Sequence, residues 1–237
     1  MFPIFFIILV ATLGLAHFAW RRYEEALKAG AIHTVPGGQT AGEAAREFLD
    51  FYGAEKVTIL EHNALVTDYY DPKRKCLFLS KRIRDGIDAG SWAVALHEAA
   101  HALQGGDSEK AYAWRFGNIR LTRYAPTLVA VVCLILMVIK RMPFNRVLIV
   151  CSALCAMIML VNMLSIPVEF NASQRVMSWI ERKLKRHQSL IDAFAVLLPR
   201  VAWRDTGVFI KSPVYFFYGM LPMGGKLRPN QKTPPKR

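Results

Sequence analysis

The stretch His97-Glu98-Ala99-Ala100-His101 decides both the fold and the chemistry that this sequence supports. Residues four positions apart in an α-helix lie on one face, one turn apart, so the two imidazole rings can reach a single metal ion. Glu98 lies about 100° round the helix axis from His97, where its carboxylate can take a proton from water without being a ligand. We therefore predict that His97 and His101 bind a metal and that Glu98 is a general base.

The residues that flank the motif are apolar on almost every side of the expected helix, which runs from about Ser91 to Gln104 and ends at Gly105-Gly106. Two histidines and a glutamate in such a helix would be buried, and buried ionisable groups need partners. A divalent cation satisfies all three. The alternative is that they face solvent or pair within the core without a metal. The apolar neighbours are Ala93, Val94, Ala95, Leu96, Ala99, Ala100, Ala102 and Leu103.

A third ligand is expected, because catalytic zinc commonly has three protein ligands and one position left for water. No third histidine follows the motif at the metzincin spacing, and His187 is the one later histidine. Glu169 is the best carboxylate candidate, since it follows an apolar run at the expected start of a helix. Its alternative role is to stabilise that helix through the helix dipole. A set of two histidines and one glutamate favours Zn²⁺ as the metal.

The composition points to a lipid bilayer as a partner. Hydrophobic residues make up 53% of the 237 residues, yet the net charge is +13, so apolar and basic residues must lie in separate segments. The cations border the apolar runs and do not form a stripe with exposed aromatic residues, which argues against nucleic acid. Three of the four cysteines fall in apolar runs and no CxxC pair occurs, so we expect no disulfide framework.

Three apolar runs predict a membrane protein with an N-terminal anchor helix and an inserted transmembrane hairpin. Residues 1–20 form the anchor, because the uncharged run 2–20 can cross a bilayer. A secretory signal peptide is the alternative, although the basic pair Arg21-Arg22 follows the apolar run instead of preceding it. The other predicted segments are 21–124 for the soluble part that holds the motif, 125–168 for the hairpin, 169–225 for a third-ligand helix and a membrane-associated part, and 226–237 for a disordered basic tail.

The soluble part contains a helix and three short strands. Thr40 and Glu43 form a capping-box pattern that opens a helix to about Tyr52, and Gly53 ends it. Runs separated by turn residues predict a small antiparallel sheet, and the last run, 75–80, is interpreted either as an edge strand that aligns a peptide or as a buried strand. The three runs are Val57-Thr58-Ile59-Leu60, Leu65-Val66-Thr67 and Cys76-Leu77-Phe78-Leu79.

Beyond the motif, several segments resemble the YugP-like family of bacterial neutral zinc metallopeptidases, which is distantly similar to the HtpX and CaaX-processing membrane proteases. The resemblance covers about residues 40–104 and 167–175. The segments that carry it are Tyr70-Asp71-Pro72, Leu79-Ser80, His97-Glu98-Ala99-Ala100-His101-Ala102-Leu103-Gln104 and Pro167-Val168-Glu169-Phe170-Asn171-Ala172-Ser173.

This resemblance implies a mainly α membrane protein with a gluzincin-like α+β zinc-protease domain. It also implies that Glu169 is the third zinc ligand and that Asn171 and Ser173 lie behind the ligands. The family commonly has aspartate where this chain has Asn171. If that position orients a ligand histidine, Asn171 can accept one hydrogen bond but carries no charge, which would weaken activity.

These features predict a membrane-embedded zinc endopeptidase in which Glu98 passes the proton taken from water to the leaving amine. The competing hypothesis is a non-catalytic zinc-binding membrane adaptor that keeps the protease fold. The intact Glu98 favours the enzyme, and Asn171 favours the adaptor. The sequence does not choose which residue stabilises the oxyanion; the candidates are Tyr69, Tyr70, His187 and Arg204.

We expect a peptide or membrane-protein substrate and a place in a bacterial inner membrane. The positive-inside rule puts residues 21–124 and those after Glu169 in the cytoplasm, with the N-terminus and the loop 140–146 outside. The active site would then face the cytoplasm. The sequence does not determine the oligomeric state.

Overall fold

The computed structural model describes residues 2–62 and 67–220, and these residues form a mainly helical protein with one small sheet. Short 3₁₀ turns lie at Pro36–Gly38, His101–Leu103 and Val208–Lys211. The elements in chain order are α1 (Phe2–Gly30), α2 (Ala41–Phe51), β1 (Thr58–His62), β2 (Tyr69–Asp71), β3 (Cys76–Ser80), α3 (Lys81–Arg84), α4 (Ala89–Ala100), α5 (Asp107–Val138), α6 (Phe144–Leu164), α7 (Ile166–Lys183), α8 (Gln188–Gly207) and α9 (Ser212–Met220).

Helix α4 carries the motif and lies at the centre of the core, since every one of its residues is buried. Asp88 caps its N-terminus by accepting hydrogen bonds from the backbone N–H and the hydroxyl of Ser91. The helix packs against α2, α7 and α8, and Trp92 is fully buried there. The predicted helix over the motif is confirmed, but its last turn is the 3₁₀ turn that begins at His101.

The predicted start of α2 is also confirmed. The Thr40 hydroxyl accepts from the Glu43 amide at 3.2 Å, while the Glu43 carboxylate accepts from the Thr40 amide at 2.9 Å. Gly53 follows the helix with φ +73°, a left-handed conformation that favours glycine. These local signals place Phe48 and Leu49 of α2 in the core that surrounds α4.

The sheet is mixed, so the prediction of an antiparallel sheet is wrong for one of its two pairings. β1 pairs with β3 in parallel, with Thr58 opposite Cys76 and His62 opposite Ser80. β2 pairs antiparallel to the other side of β3. Short apolar runs have the same residue pattern in either pairing, and the connecting chain decides the direction.

Because β3 is the central strand, the interpretation of residues 75–80 as a free edge strand is wrong. Leu77, Phe78 and Leu79 are buried, as expected for the alternative, a structural strand. The predicted strand at Leu65-Val66-Thr67 lies largely outside the described residues, and the strand that follows is β2.

Among the described residues, three helical stretches are long and apolar enough to cross a membrane: Pro3–Gly30, Asp107–Val138 and Phe144–Lys183. Helices α1 and α6 begin at the same end of the protein, because the Ser152 hydroxyl donates to the Phe5 carbonyl at 2.8 Å and Ala16 clusters further along with Met159. α5 runs the opposite way, since only a short turn joins it to α6. Helices α5 and α6 are therefore antiparallel neighbours.

One predicted segment border falls inside an observed helix. Helix α5 is continuous across the border between 124 and 125, with Pro126 inside it. In the predicted segment 169–225, the described residues after α8 are helical as far as Met220. Residues 221–237, which include the predicted tail, lie outside the described residues.

Helix α8 approaches α1 so closely at Gly207 that no side chain fits between them. A Cβ atom on Gly207 would lie 2.5 Å from the Ala16 carbonyl oxygen and 2.8 Å from the Trp20 amide nitrogen. Both are backbone atoms, so neither can move aside without a shift of the helix. The absence of a side chain at Gly207 thus permits the contact between these two helices.

We expect Gly207→Ala to lower the thermal stability of the protein, because overpacking of this kind costs about 1–3 kcal/mol. Gly117→Ala on α5 is the matched control, since nothing lies within 4 Å of a Cβ there. Thermal melts of the two detergent-solubilised variants check the expectation. Equal melting temperatures for both variants and the wild type would contradict the close approach.

Candidate metal centre

Three potential metal ligands meet inside the protein. His97 is on the last turn of α4, His101 opens the 3₁₀ turn after it, and Glu169 is in the first turn of α7. Glu169 Oε2 lies 3.0 Å from His97 Nε2 and 3.5 Å from His101 Nε2. One ligand atom from each residue lies within 4.8 Å of the others, and all three residues are at most 3% exposed.

His97 is oriented through its other ring nitrogen. Nδ1 lies 3.0 Å from the Ser173 hydroxyl, which donates its own proton to the Leu198 carbonyl at 3.1 Å. Because that hydroxyl proton is already engaged, the oxygen accepts from His97 Nδ1–H. Asn171 instead accepts a hydrogen bond from Arg175 on its own helix, and among the described residues it contacts neither ligand histidine. The structure therefore places Ser173, but not Asn171, behind a ligand.

His101 is held in the same way by Gln104. The Gln104 amide donates to the Val168 carbonyl at 2.7 Å, so its oxygen is left to accept from His101 Nδ1–H at 3.0 Å. The imidazole ring of His101 also stacks on Tyr112, with ring centroids 4.2 Å apart. Tyr112 is fixed in turn by its hydroxyl, which donates to the Tyr70 carbonyl at 2.7 Å.

These contacts test whether the residues fit a metal. With protons on both Nδ1 atoms, the lone pairs of both Nε2 atoms face the Glu169 carboxylate, and three acceptors then point at one place. His101 Nε2 is buried and has no hydrogen-bond partner among the described residues. Burial also lowers the pKa of His97, although the Glu169 carboxylate beside it opposes the shift, so the ring favours its neutral, metal-binding form. The set fits a divalent cation.

A chain of charged side chains joins the general-base candidate to the third ligand. Arg204 Nη2 donates to Glu98 Oε1 at 2.7 Å, and its Nε donates to Asp205 at 2.9 Å. Asp205 pairs with Arg115, whose other nitrogen lies 2.9 Å from Glu169 Oε1. Burial opposes the charge of Arg204, yet the neighbouring Glu98 carboxylate holds its pKa above the usual range. The two buried carboxylates in this series of ion pairs, Glu98 and Glu169, therefore each have a cationic partner.

Arg115 contacts one oxygen of Glu169, and the two histidines face the other. This division leaves Glu169 Oε2 free to act as a single ligand atom. The sequence did not reveal this role for Arg115, because Arg115 is one of the cations that border the apolar runs. No feature of the sequence distinguishes Arg115 from its basic neighbours.

The remaining candidates from the sequence lie in different places. Arg204 is in the site, paired with Glu98, whereas His187 is exposed at the start of α8. Tyr70 borders a cleft of about 480 Å³ that His101 and Tyr112 also line. Asp205, Gln104 and Tyr112 were not predicted as parts of the site, and only Gln104 had a signal, its place within the motif's family-like segment.

Comparison with known families agrees with this geometry. Residues 4–198 match the family described as "Putative neutral zinc metallopeptidase", a range that is more than half of the chain and contains His97, Glu98, His101 and Glu169. The chain belongs to this family. The resemblance found in the sequence motifs is thereby confirmed.

This chain is also similar to the "Putative membrane protease YugP" of Bacillus subtilis (strain 168). It is 28% identical over 172 residues, which cover 73% of this chain and 75% of that protein. No solved structure matches the chain. The similarity thus extends over most of both sequences and is not confined to the motif.

We expect Ser173→Ala to weaken zinc binding by about 10-fold or more, because His97 loses the acceptor that fixes its tautomer and ring orientation. Asn171→Ala is the matched control from the same helix, and it should leave zinc affinity unchanged because Asn171 contacts Arg175 instead. Competition with a chromophoric chelator measures both affinities on purified protein. A loss in the Asn171 variant that equals the loss in the Ser173 variant would contradict this assignment.

Proposed function

We propose that this chain is a membrane-embedded zinc-dependent endopeptidase. The observation that carries the proposal is the convergence of His97, His101 and Glu169 at one buried point, with Glu98 next to His97 on α4. Membership of a zinc metallopeptidase family supports zinc as the metal and peptide hydrolysis as the reaction. A gluzincin-type site follows, since the third ligand is a glutamate from a later helix.

When bound, zinc polarises the peptide carbonyl and makes a water molecule more acidic. Glu98 takes the proton of the attacking water and passes it to the nitrogen of the leaving amine. Arg204 holds the Glu98 carboxylate in place by a 2.7 Å hydrogen bond, so the base keeps one orientation. We assign Arg204 to this positioning role, although it also remains a candidate donor to the oxyanion.

A peptide can approach along the cleft of about 480 Å³ that borders His101. The residues that line the cleft include Tyr70 of β2, Pro72 directly after it, Tyr112 of α5 and Arg175 of α7. Both edges of β3 are paired, so a peptide cannot add to that strand. The cleft side chains take the place of the edge strand expected from the sequence. The substrate is proposed to be an extended peptide segment of a membrane protein or a free peptide.

The second candidate is a non-catalytic zinc-binding adaptor with the same fold. The observation that favours it is the burial of Glu98, which is only 2% exposed and already paired with Arg204. Asn171 no longer supports this candidate, because it contacts Arg175 and not a ligand histidine. An assay of the general base distinguishes the two candidates.

The expected outcome for Glu98→Gln is loss of peptide hydrolysis with zinc and fold retained, because an amide cannot accept the proton from water. Loss of a general base of this kind lowers turnover by about 10²–10⁴-fold. A protease assay on detergent-solubilised wild type and variant measures turnover, and metal analysis of the same samples measures zinc. Equal turnover in both, with contaminating proteases excluded, would reject the mechanism. Zinc in both with turnover in neither would favour the adaptor.

Two further variants separate the metal site from the base. Glu169→Ala should lower zinc content at limiting metal and abolish hydrolysis together, whereas Glu181→Ala, an exposed glutamate on the same helix, should change neither. If both variants bind zinc like the wild type, the third ligand lies elsewhere.

We also propose that the three apolar helices cross the inner membrane of a bacterium with the metal centre on the cytoplasmic side. Helices α1 and α6 start at the same end of the protein. Helix α5, which precedes α6 in the sequence, runs in the opposite direction, so the start of α1 and the turn after Val138 lie on the same side. His97 and Glu169 both lie at the other end of these spans. Arg21, Arg22 and Lys28 lie in the last part of α1, and further basic residues occur along the polar end of α7, which favours the cytoplasm for that side.

Reporter fusions after residues 60 and 187 should both show cytoplasmic reporter activity. The physical reason is that ligands that meet at one ion cannot lie on opposite faces of a bilayer about 30 Å thick. Activity of a periplasm-only reporter at both positions would invert the orientation and keep the shared site. Activity of that reporter at one position alone would contradict the shared site.

A further inference from the structure

A second cavity is lined by none of the residues of the motif. It has a volume of about 310 Å³ and runs between helices α1, α6 and α8. Its lining is largely apolar, with Leu15, Phe18, Met159 and Met163 among the contributing side chains. Its polar lining residues are Arg22, Arg200 and Thr206. We call this cavity the arginine slot.

The two arginines lie at the same end of the arginine slot. Helix α8 runs antiparallel to α1, because Gly207 approaches Ala16 and Trp20 while Leu197 reaches Gly30. Arg200, between these two contacts, therefore lies beside the part of α1 that follows Trp20, which is also where Arg22 lies. The slot thus has a cationic mouth towards the metal-binding half and an apolar interior along the predicted membrane span.

The positive charge at the mouth is not neutralised by the protein. No aspartate or glutamate lines the slot, and among the described residues neither Arg22 nor Arg200 forms an ion pair. Arg22 lies over the Phe18 ring at 5.7 Å, which orients it along the slot wall. The adjacent Arg21 differs, since it pairs with Glu25 on the helix surface and does not line the slot.

We propose that the arginine slot binds one molecule of anionic phospholipid. The phosphate lies between the Arg22 and Arg200 guanidinium groups, which can donate paired hydrogen bonds to phosphate oxygens. An acyl chain lies along Leu15, Phe18 and Met159 in the interior. The volume of the slot matches the lower end of small-molecule sites, which begin at about 300 Å³. Basic pockets between membrane helices bind anionic headgroups for the same physical reason.

This inference rests on the proposed membrane location and not on peptidase activity. Charge complementarity selects the anionic lipid over a zwitterionic one, because a choline or ethanolamine group would bring a further cation towards the two arginines. The apolar interior selects a lipid over free phosphate, because phosphate alone leaves the apolar walls of the slot uncovered.

Native mass spectrometry of the full chain in detergent, titrated with phosphatidylglycerol or phosphatidylcholine, tests the proposal. We expect one phosphatidylglycerol to remain bound at concentrations where phosphatidylcholine does not. The double variant Arg22→Ala/Arg200→Ala should lose affinity for phosphatidylglycerol by about 10-fold or more, since each arginine near an anionic headgroup adds attraction. Arg21→Ala is the matched control and should bind like the wild type.

Equal affinity of the wild type for the two lipids would overturn the proposal without recourse to any variant, so a folding defect cannot obscure the result. Loss of phosphatidylglycerol in Arg21→Ala as large as in the double variant would also overturn it, because general surface charge would then explain binding. Displacement of the lipid by equimolar inorganic phosphate would also contradict the proposal, because the slot would then bind a free anion and not a lipid. Zinc content of the same samples is read separately, so failure of the metal site and failure of the lipid site remain distinguishable.

Discussion

The structure depends on one constraint: a histidine from α4, a histidine from the 3₁₀ turn after it and a glutamate from α7 must bring three acceptor atoms to one buried point. A cation relieves the repulsion between those acceptors, and the surrounding elements keep them aimed at it. Ser173 of α7 and Gln104 after the motif each accept a hydrogen bond from a histidine and donate one to a backbone carbonyl. The ring orientations are thus fixed by the backbone of neighbouring helices.

The parts of this arrangement that the sequence predicted are those encoded locally. The i, i+4 spacing of the histidines, the capping box at Thr40 and the position of Glu169 after an apolar run each depend on a few adjacent residues. The pairing of β1 with β3 was not predictable in the same way. Its parallel direction depends on how the chain between residues 62 and 76 returns, and alternating apolar residues do not record that path.

The ion pairs of the site were the hardest feature to predict from the sequence, for a different reason. Arg115 and Arg204 lie near apolar segments, where the positive-inside pattern already accounts for basic residues. The pattern cannot tell an arginine that faces lipid headgroups from one that is buried against a carboxylate. Only the fold shows that Asp205 joins the two and that they balance Glu98 and Glu169.

That charge balance sets how the two halves of the molecule depend on each other. Removing Arg204 would leave Glu98 as a buried carboxylate without its cation, a change that costs about 3–5 kcal/mol in comparable pairs. Arg204 is carried by α8, the helix that touches the α1 backbone at Gly207. Arg200 lies one helical turn before Arg204, at the mouth of the arginine slot. A single turn of α8 therefore contacts Glu98 through Arg204 and forms the mouth of the arginine slot through Arg200. A displacement of that turn relative to α1 would move both.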